Sequence, residues 1–160
     1  SAKVKDCYAV VETHPDALAD GKMGNAIACS SRQVLEFVNW LQEQDFYENT
    51  TVIITGDHFS MDAGYFNRNI ADNYSRHGYN CFLNTPVEAT RTKNRQFSAL
   101  DMFPTTLAAL GCTIEGDRLG LGTNLFSDLP TLIERKGFVA FWNELSMSSD
   151  YYDRFYENKE

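Results

Sequence analysis

The chain has 160 residues, 43% hydrophobic and 13% aromatic, which suffices to bury one sizeable core, so it reads as one domain or a piece of one. Fourteen basic residues against twenty-two acidic give a net charge of -8, and no Lys/Arg cluster interrupts that balance, which argues against nucleic acid as a partner. The same field repels anions, so an anionic substrate must be held locally, by a metal or by a few positioned His and Arg side chains.

In chain order, Cys7 to Glu12 (CYAVVE) is a short β-rich run ended by Thr13, His14 and Pro15, a strand running into a loop. No signal peptide precedes it, and a chain that opens at once on a buried-type strand reads as a piece cut from a longer protein. A polar loop with Gly21 and Gly24 follows. From about Asn25 to Gln44, Ile27, Val34, Phe37, Val38 and Leu41 recur at helical spacing with Trp40 beside them; Asn25 is one candidate cap, Ser30 with Gln33 another. Thr50 to Thr55 (TTVIIT) is β-branched almost throughout, as a strand buried on both faces should be, and it ends at Gly56, Asp57 and His58. Strand, helix, strand is a βαβ unit, whose right-handed crossover would make the strands parallel and bring His14 and the Asp57/His58 pair to one sheet edge.

Residues 59 to 75 read as a polar loop with one helical turn, and Tyr79 to Asn84 as a strand stopped by Pro86. After a charged turn region, Glu88 to Arg95, the run Asp101 to Leu110 predicts a helix with Asp101 near its N-cap, Pro104 in its first turn and Gly111 ending it. Leu119 to Phe126 is a glycine-bearing loop, Pro130 to Leu145 a last helix, and Ser146 to Glu160 a tail expected to fray. Cys7, Cys29, Cys81 and Cys112 form no CxxC and read as buried thiols, with a disulfide between two of them as the alternative in an oxidising compartment. No apolar run reaches the roughly 18 residues that span a bilayer.

The chemistry concentrates at Asp57 and His58. A carboxylate oxygen beside an imidazole nitrogen suits zinc, manganese or magnesium-like ions, but two ligands do not complete a site. His14 is read either as a substrate contact or as a loop residue at a strand end. Arg76 could pair with a phosphate, and His77 reads as solvated. The aromatics Phe138, Phe141, Trp142, Tyr151, Tyr152, Phe155 and Tyr156 suggest a carbohydrate platform or, as the preferred reading, core packing of a terminal helix.

Three segments carry a family resemblance. Residues 51 to 58 (TVIITGDH) resemble the strand and metal-ligand motif of the alkaline phosphatase and sulfatase superfamily. Residues 98 to 111 (SALDMFPTTLAALG) are similar to its Asp-x-x-Pro-Thr-Leu helix, and 118 to 127 (RLGLGTNLFS) resemble the Gly-Leu-Gly loop of the phosphoglycerol transferase and lipoteichoic acid synthase branch. The resemblance implies an α/β fold, a fragment of a three-layer sandwich with a mostly parallel sheet flanked by helices, with residues 1 to 160 forming the C-terminal part of the catalytic domain. It implies Asp57 and His58 as ligands of a divalent metal, manganese first with magnesium or zinc as alternatives, and His14 as a substrate-binding residue, beside which Arg76 stands as a substrate-binding candidate on its own chemistry, against the reading of an exposed Arg that binds nothing. It places the Thr nucleophile upstream, leaving no catalytic nucleophile in this chain, which alone is expected to be inactive.

The implied parent takes glycerol phosphate from a phospholipid by ping-pong chemistry through a phospho-Thr, and passes it to a glycan or polyol-phosphate acceptor. It would sit on the extracellular face of the cell membrane or in the periplasm, touching the membrane only through an N-terminal anchor outside this sequence. The alternatives are a sulfatase, phosphodiesterase or phosphoethanolamine transferase fragment, or a non-catalytic interaction module of the same fold.

Overall fold

The computed structural model describes residues 22–71, 73–91 and 93–157. The chain divides into two compact units, Ser1–Cys81 and Phe82–Glu160. The expected strand Cys7 to Glu12, with Cys7 and His14, lies outside the described residues.

In the first unit, helix α1 spans Lys22–Gln42. It begins ahead of both expected caps: Gly24 lies within it, a substitution for Ala-like residues that costs about 1 kcal/mol, and Asn25 and Ser30 are interior residues rather than N-caps. Of the five apolar positions expected to face a core, only Val38 and Leu41 are buried, together with Cys29. Ile27, Val34 and Phe37 are exposed, as is Trp40. The aromatics partly cover one another instead: Trp40 stacks on Phe37 at 5.7 Å between centroids and meets Phe46 edge-on at 6.4 Å.

Strand β1 is Val52–Thr55, short helix α2 is Ala63–Asn69 and strand β2 is Asn80–Leu83, where the second unit begins. β1 and β2 make a two-stranded sheet. The Gly56 N–H just past the end of β1 donates to the Tyr79 carbonyl just before β2 at 3.0 Å, which sets the two strands antiparallel. The reason is the connection: a parallel return needs a crossover of a dozen or more residues packed on the sheet, and the seven-residue α2 does not supply one. The fold is thus α/β in character, and the mostly parallel sheet does not occur among the described residues.

In the second unit, helix α3 spans Ala99–Ala109 and starts two residues earlier than its sequence suggests. Ser98 is the N-cap, and Asp101 closes a capping box by accepting from the Ser98 N–H at 2.9 Å. Past the helix end, the Gly111 N–H donates to Ala108 O and the Cys112 N–H to Leu107 O, the paired bonds of a Schellman motif. Pro104 therefore lies beyond the first turn, where its missing N–H leaves Leu100 O without its usual donor.

The glycine-bearing segment is a minimal antiparallel hairpin, β3 (Arg118–Leu119) and β4 (Gly122–Thr123), in which Arg118 faces Thr123 and Leu119 faces Gly122. Its backbone lies against α3: a Cβ on Gly122 would stand 2.0 Å from Leu100 O and 2.9 Å from Pro104 Cγ. Ala108, Ala109 and Phe126 form the buried core here, with Phe82, Val87, Ala89 and Ile114 packed around it.

The single last helix divides at Gly137, φ +80°, into α4 (Leu132–Lys136) and α5 (Phe138–Leu145). The tail does not fray throughout. It forms α6 (Asp150–Glu157), with Tyr151 and Phe155 in ring contact one turn apart and Asp150 and Asp153 in its positive first turn. Core packing also fails for most of the terminal aromatics: Phe141 is buried, whereas Phe138, Trp142, Tyr151, Tyr152 and Phe155 are exposed. Among the cysteines, Cys29 is buried, Cys81 half-buried and Cys112 exposed.

Candidate metal and substrate site

Asp57 and His58 follow β1 directly, where β-branched Val52, Ile53, Ile54 and Thr55 hold the chain extended up to Gly56. The Asp57 carboxylate folds over the next residue, its Oδ1 accepting the His58 N–H at 2.8 Å. His58 Nδ1 lies 2.8 Å from the Phe59 carbonyl oxygen. A carbonyl can only accept, so Nδ1 carries a proton and Nε2 is the ring nitrogen that faces Asp57. That nitrogen is 3.4 Å from Asp57 Oδ2.

The pair is open, with 87% of the Asp57 side chain and 60% of the His58 side chain exposed, so neither group is sealed in an apolar interior. A hard anionic oxygen and an imidazole nitrogen side by side are donor types suited to a divalent cation. Among the described residues no group of three or more His, Cys, Asp or Glu side chains could hold a metal.

Arg76 is half-buried and held on three sides. Its Nη2 donates to the Ser60 carbonyl at 2.9 Å, and its guanidinium carbon lies 5.0 Å from the Phe59 ring centroid and 4.4 Å from that of Phe66. It also lines a shallow hollow of about 220 Å³ with Ala63, Asn67 and Tyr74 among its walls. His77 is exposed and touches Tyr74 edge-on at 6.1 Å. His14 lies outside the described residues.

The most elaborate polar centre was not singled out by sequence reasoning. The Arg95 side chain, 6% exposed, donates through Nε and Nη2 to the two carboxylate oxygens of Glu134 at 2.9 and 3.0 Å. Its other bonds reach the carbonyls of Leu125, Ser127 and Leu129. Glu134 also accepts the Thr131 N–H at 2.9 Å and the Gln96 N–H at 3.3 Å. Burial pushes the Glu134 carboxyl up, but the Arg95 and Thr131 hydrogen bonds and the Arg95 charge outweigh it and hold the group below the ordinary carboxylate value. With its donors engaged, Arg95 is a staple rather than a substrate contact. The signal for it in the sequence is the Thr131-x-x-Glu134 capping box.

The two other resembling motifs likewise meet each other. Asp101 Oδ1 accepts the Thr123 N–H at 2.8 Å, and Thr105 Oγ1 accepts the Leu125 N–H at 3.0 Å while donating to Asp101 O at 2.6 Å. The Asp-x-x-Pro-Thr helix and the Gly-Leu-Gly loop are therefore two halves of one structural lock.

Residues 9–112, more than half of the chain, match the family model described as Sulfatase. No curated protein and no solved structure matches the chain.

Proposed function

The chain belongs to the sulfatase family, and from that premise we propose that it is the C-terminal part of a metal-dependent phosphoglycerol transferase, with Asp57 and His58 holding the cation. The observation that carries the reading is the pairing of Asp57 Oδ2 with His58 Nε2, 3.4 Å apart and open to solvent at the end of β1. Asp57 supplies the anionic oxygen, in a chain whose overall net charge of -8 attracts cations. His58 supplies the nitrogen, its ring orientation fixed by the Phe59 carbonyl.

When bound, the cation neutralises charge on the transferring group and favours the ionised form of an attacking hydroxyl. Manganese is the first choice, with magnesium and zinc as alternatives. His14 and Arg76 are proposed to contact the anionic ester, Arg76 from the hollow it lines. The branch assignment is supported by the Gly-Leu-Gly segment, and with it come the donor, a phospholipid giving glycerol phosphate, and the acceptor, a glycan or polyol phosphate. The same reading makes the parent an envelope protein, acting outside the membrane or in the periplasm and anchored through its N-terminal part, which also brings the Thr nucleophile.

The test is glycerol phosphate transfer from phosphatidylglycerol by the protein extended to include that upstream part. Asp57→Ala and His58→Ala are each expected to lower kcat/KM by about 100-fold or more with manganese present. Hydrolysis of a sulfate ester in place of transfer would assign the chain to the sulfatase chemistry of the same superfamily. Wild-type protein that takes up no divalent metal would instead make it a non-catalytic module.

A further inference from the structure

We propose that the hollow beside Arg76 is a subsite for a phosphodiester bearing an apolar substituent, with the guanidinium on the oxyanion and the walls on the apolar group. Its place in the reaction, holding the lipid side of the donor rather than the glycerol side, rests on the transferase reading above, but the binding itself can be tested with no metal and no turnover.

Arg76 and Arg95 are both held firmly, and they differ in what they leave unused. Arg95 commits Nε, Nη1 and Nη2 to Glu134 and three carbonyls, so nothing remains for a ligand. Arg76 donates one hydrogen bond, from Nη2 to the Ser60 carbonyl, and no carboxylate pairs with it among the described residues. Its Nε–H and Nη1 protons are therefore left for another acceptor. The Phe59 and Phe66 rings fix the guanidinium without neutralising it. A half-buried cation with a set orientation and spare donors is a receptor for a pair of phosphate oxygens, which also supply the counter-charge it lacks. Such a local feature is what a chain of net charge -8 requires before it can hold an anion.

The walls decide what the anion carries. Besides Arg76, the hollow is lined chiefly by Phe66, Ile70, Ala71 and Tyr74, with the Asn67 amide at one side. No acidic side chain is among them, so nothing in the lining opposes a bound oxyanion. Its volume of about 220 Å³ lies below the roughly 300 to 1,000 Å³ that encloses a whole small molecule, so it takes one group of a larger ligand. A glycerol group would set hydroxyls against Phe66 and Ile70, whereas a short alkyl chain removes apolar surface from water on both sides of the contact.

The experiment is a proton–nitrogen NMR titration of the whole chain, with chelator present, using dibutyl phosphate as the probe. Saturable shifts are expected at Phe66, Ile70, Ala71 and the Arg76 Nε–H, with the α3 and β4 resonances unmoved. Glycerophosphoglycerol, the same diester with polar substituents, should bind about tenfold or more weakly. Arg76→Ala should weaken dibutyl phosphate by about tenfold or more, and Arg76→Lys by less, since a point charge keeps the attraction but loses the fork.

Equal affinity for the two diesters, shifts confined to other residues, or undiminished binding by a folded Arg76→Ala would each overturn the proposal. Should Arg76→Ala fail to fold, Ala71→Glu leaves the Arg76 contacts in place and sets a carboxylate on the exposed wall. A tenfold loss there, of the order expected for a repelled anion, supports the subsite, and unchanged affinity refutes it. Dibutyl phosphate bound at Arg76, in a protein whose extended form transfers no glycerol phosphate, keeps the subsite and removes the transferase reading. Transfer by the extended form with no such binding removes the subsite alone.

Discussion

Glu134 and Arg95 show how much one buried pair can be asked to do. The carboxylate holds Arg95 bidentately and caps α4 through the Thr131 N–H, so it joins the segment at residue 95 to a helix that starts nearly forty residues later. A buried guanidinium left without its carboxylate is far costlier than the intact pair is favourable. Glu134→Gln is therefore expected to lower unfolding free energy by about 3 to 5 kcal/mol at pH 7, read by urea titration, and a loss under about 1 kcal/mol would contradict the staple. The pH dependence has a definite sign. The folded pKa of Glu134 lies below its ordinary value of 4.5, so its contribution is complete above that value and is lost as pH falls through the lower, folded one. Wild type should lose stability in that acid range, and Glu134→Gln should lack this part of the loss.

Elements in this chain end and meet at glycines for two different reasons, and substitution separates them. At Gly122 the backbone torsions are open to any residue, but a Cβ would stand 2.0 Å from the Leu100 carbonyl oxygen. At Gly137 a Cβ meets nothing within 4 Å, but φ is +80° and ψ 153°, a region almost confined to glycine. Gly122→Ala should cost about 3 kcal/mol or more and shift the α3 and β4 resonances, because helix and hairpin must separate. Gly137→Ala should cost about 1 to 3 kcal/mol and leave that lock unchanged, acting only at the α4–α5 joint. Equal spectral changes in both variants would refute the distinction.

The same elements mark where sequence reasoning succeeded and stopped. The run Thr50 to Thr55 announced β1, and the placement of Asp57 and His58 just beyond its end was legible because β-branched residues next to a Gly leave few other readings. The helix over residues 99–109 was legible too, but its start was not, since Ser98 and Asp101 share one capping box and either resembles a cap alone. Exposure was the least legible property. The spacing of Ile27, Val34 and Phe37 fits a buried face, but spacing does not reveal what, if anything, packs against it. Arg95 was overlooked because its three carbonyl partners lie 30 to 34 residues away, and nothing local encodes such pairings.

At the scale of the whole molecule, the chain separates a structural lock from an exposed polar loop. Its second unit ties Asp101, Thr105, Gly122 and the Arg95–Glu134 pair into buried, mutually satisfied contacts. Its first unit presents Asp57 and His58 to solvent on a loop braced by Arg76. No helix among the described residues is long and apolar enough to cross a membrane.

That division predicts that a cation finds its protein ligands at the end of β1 and at no other described cluster. Anomalous diffraction at the manganese edge, from crystals of the protein grown with manganese, addresses this directly. The account predicts a peak within about 2.0 to 2.3 Å of both an Asp57 carboxylate oxygen and His58 Nε2. A peak coordinated elsewhere, or Asp57 and His58 both turned away from the only strong peak, would contradict it.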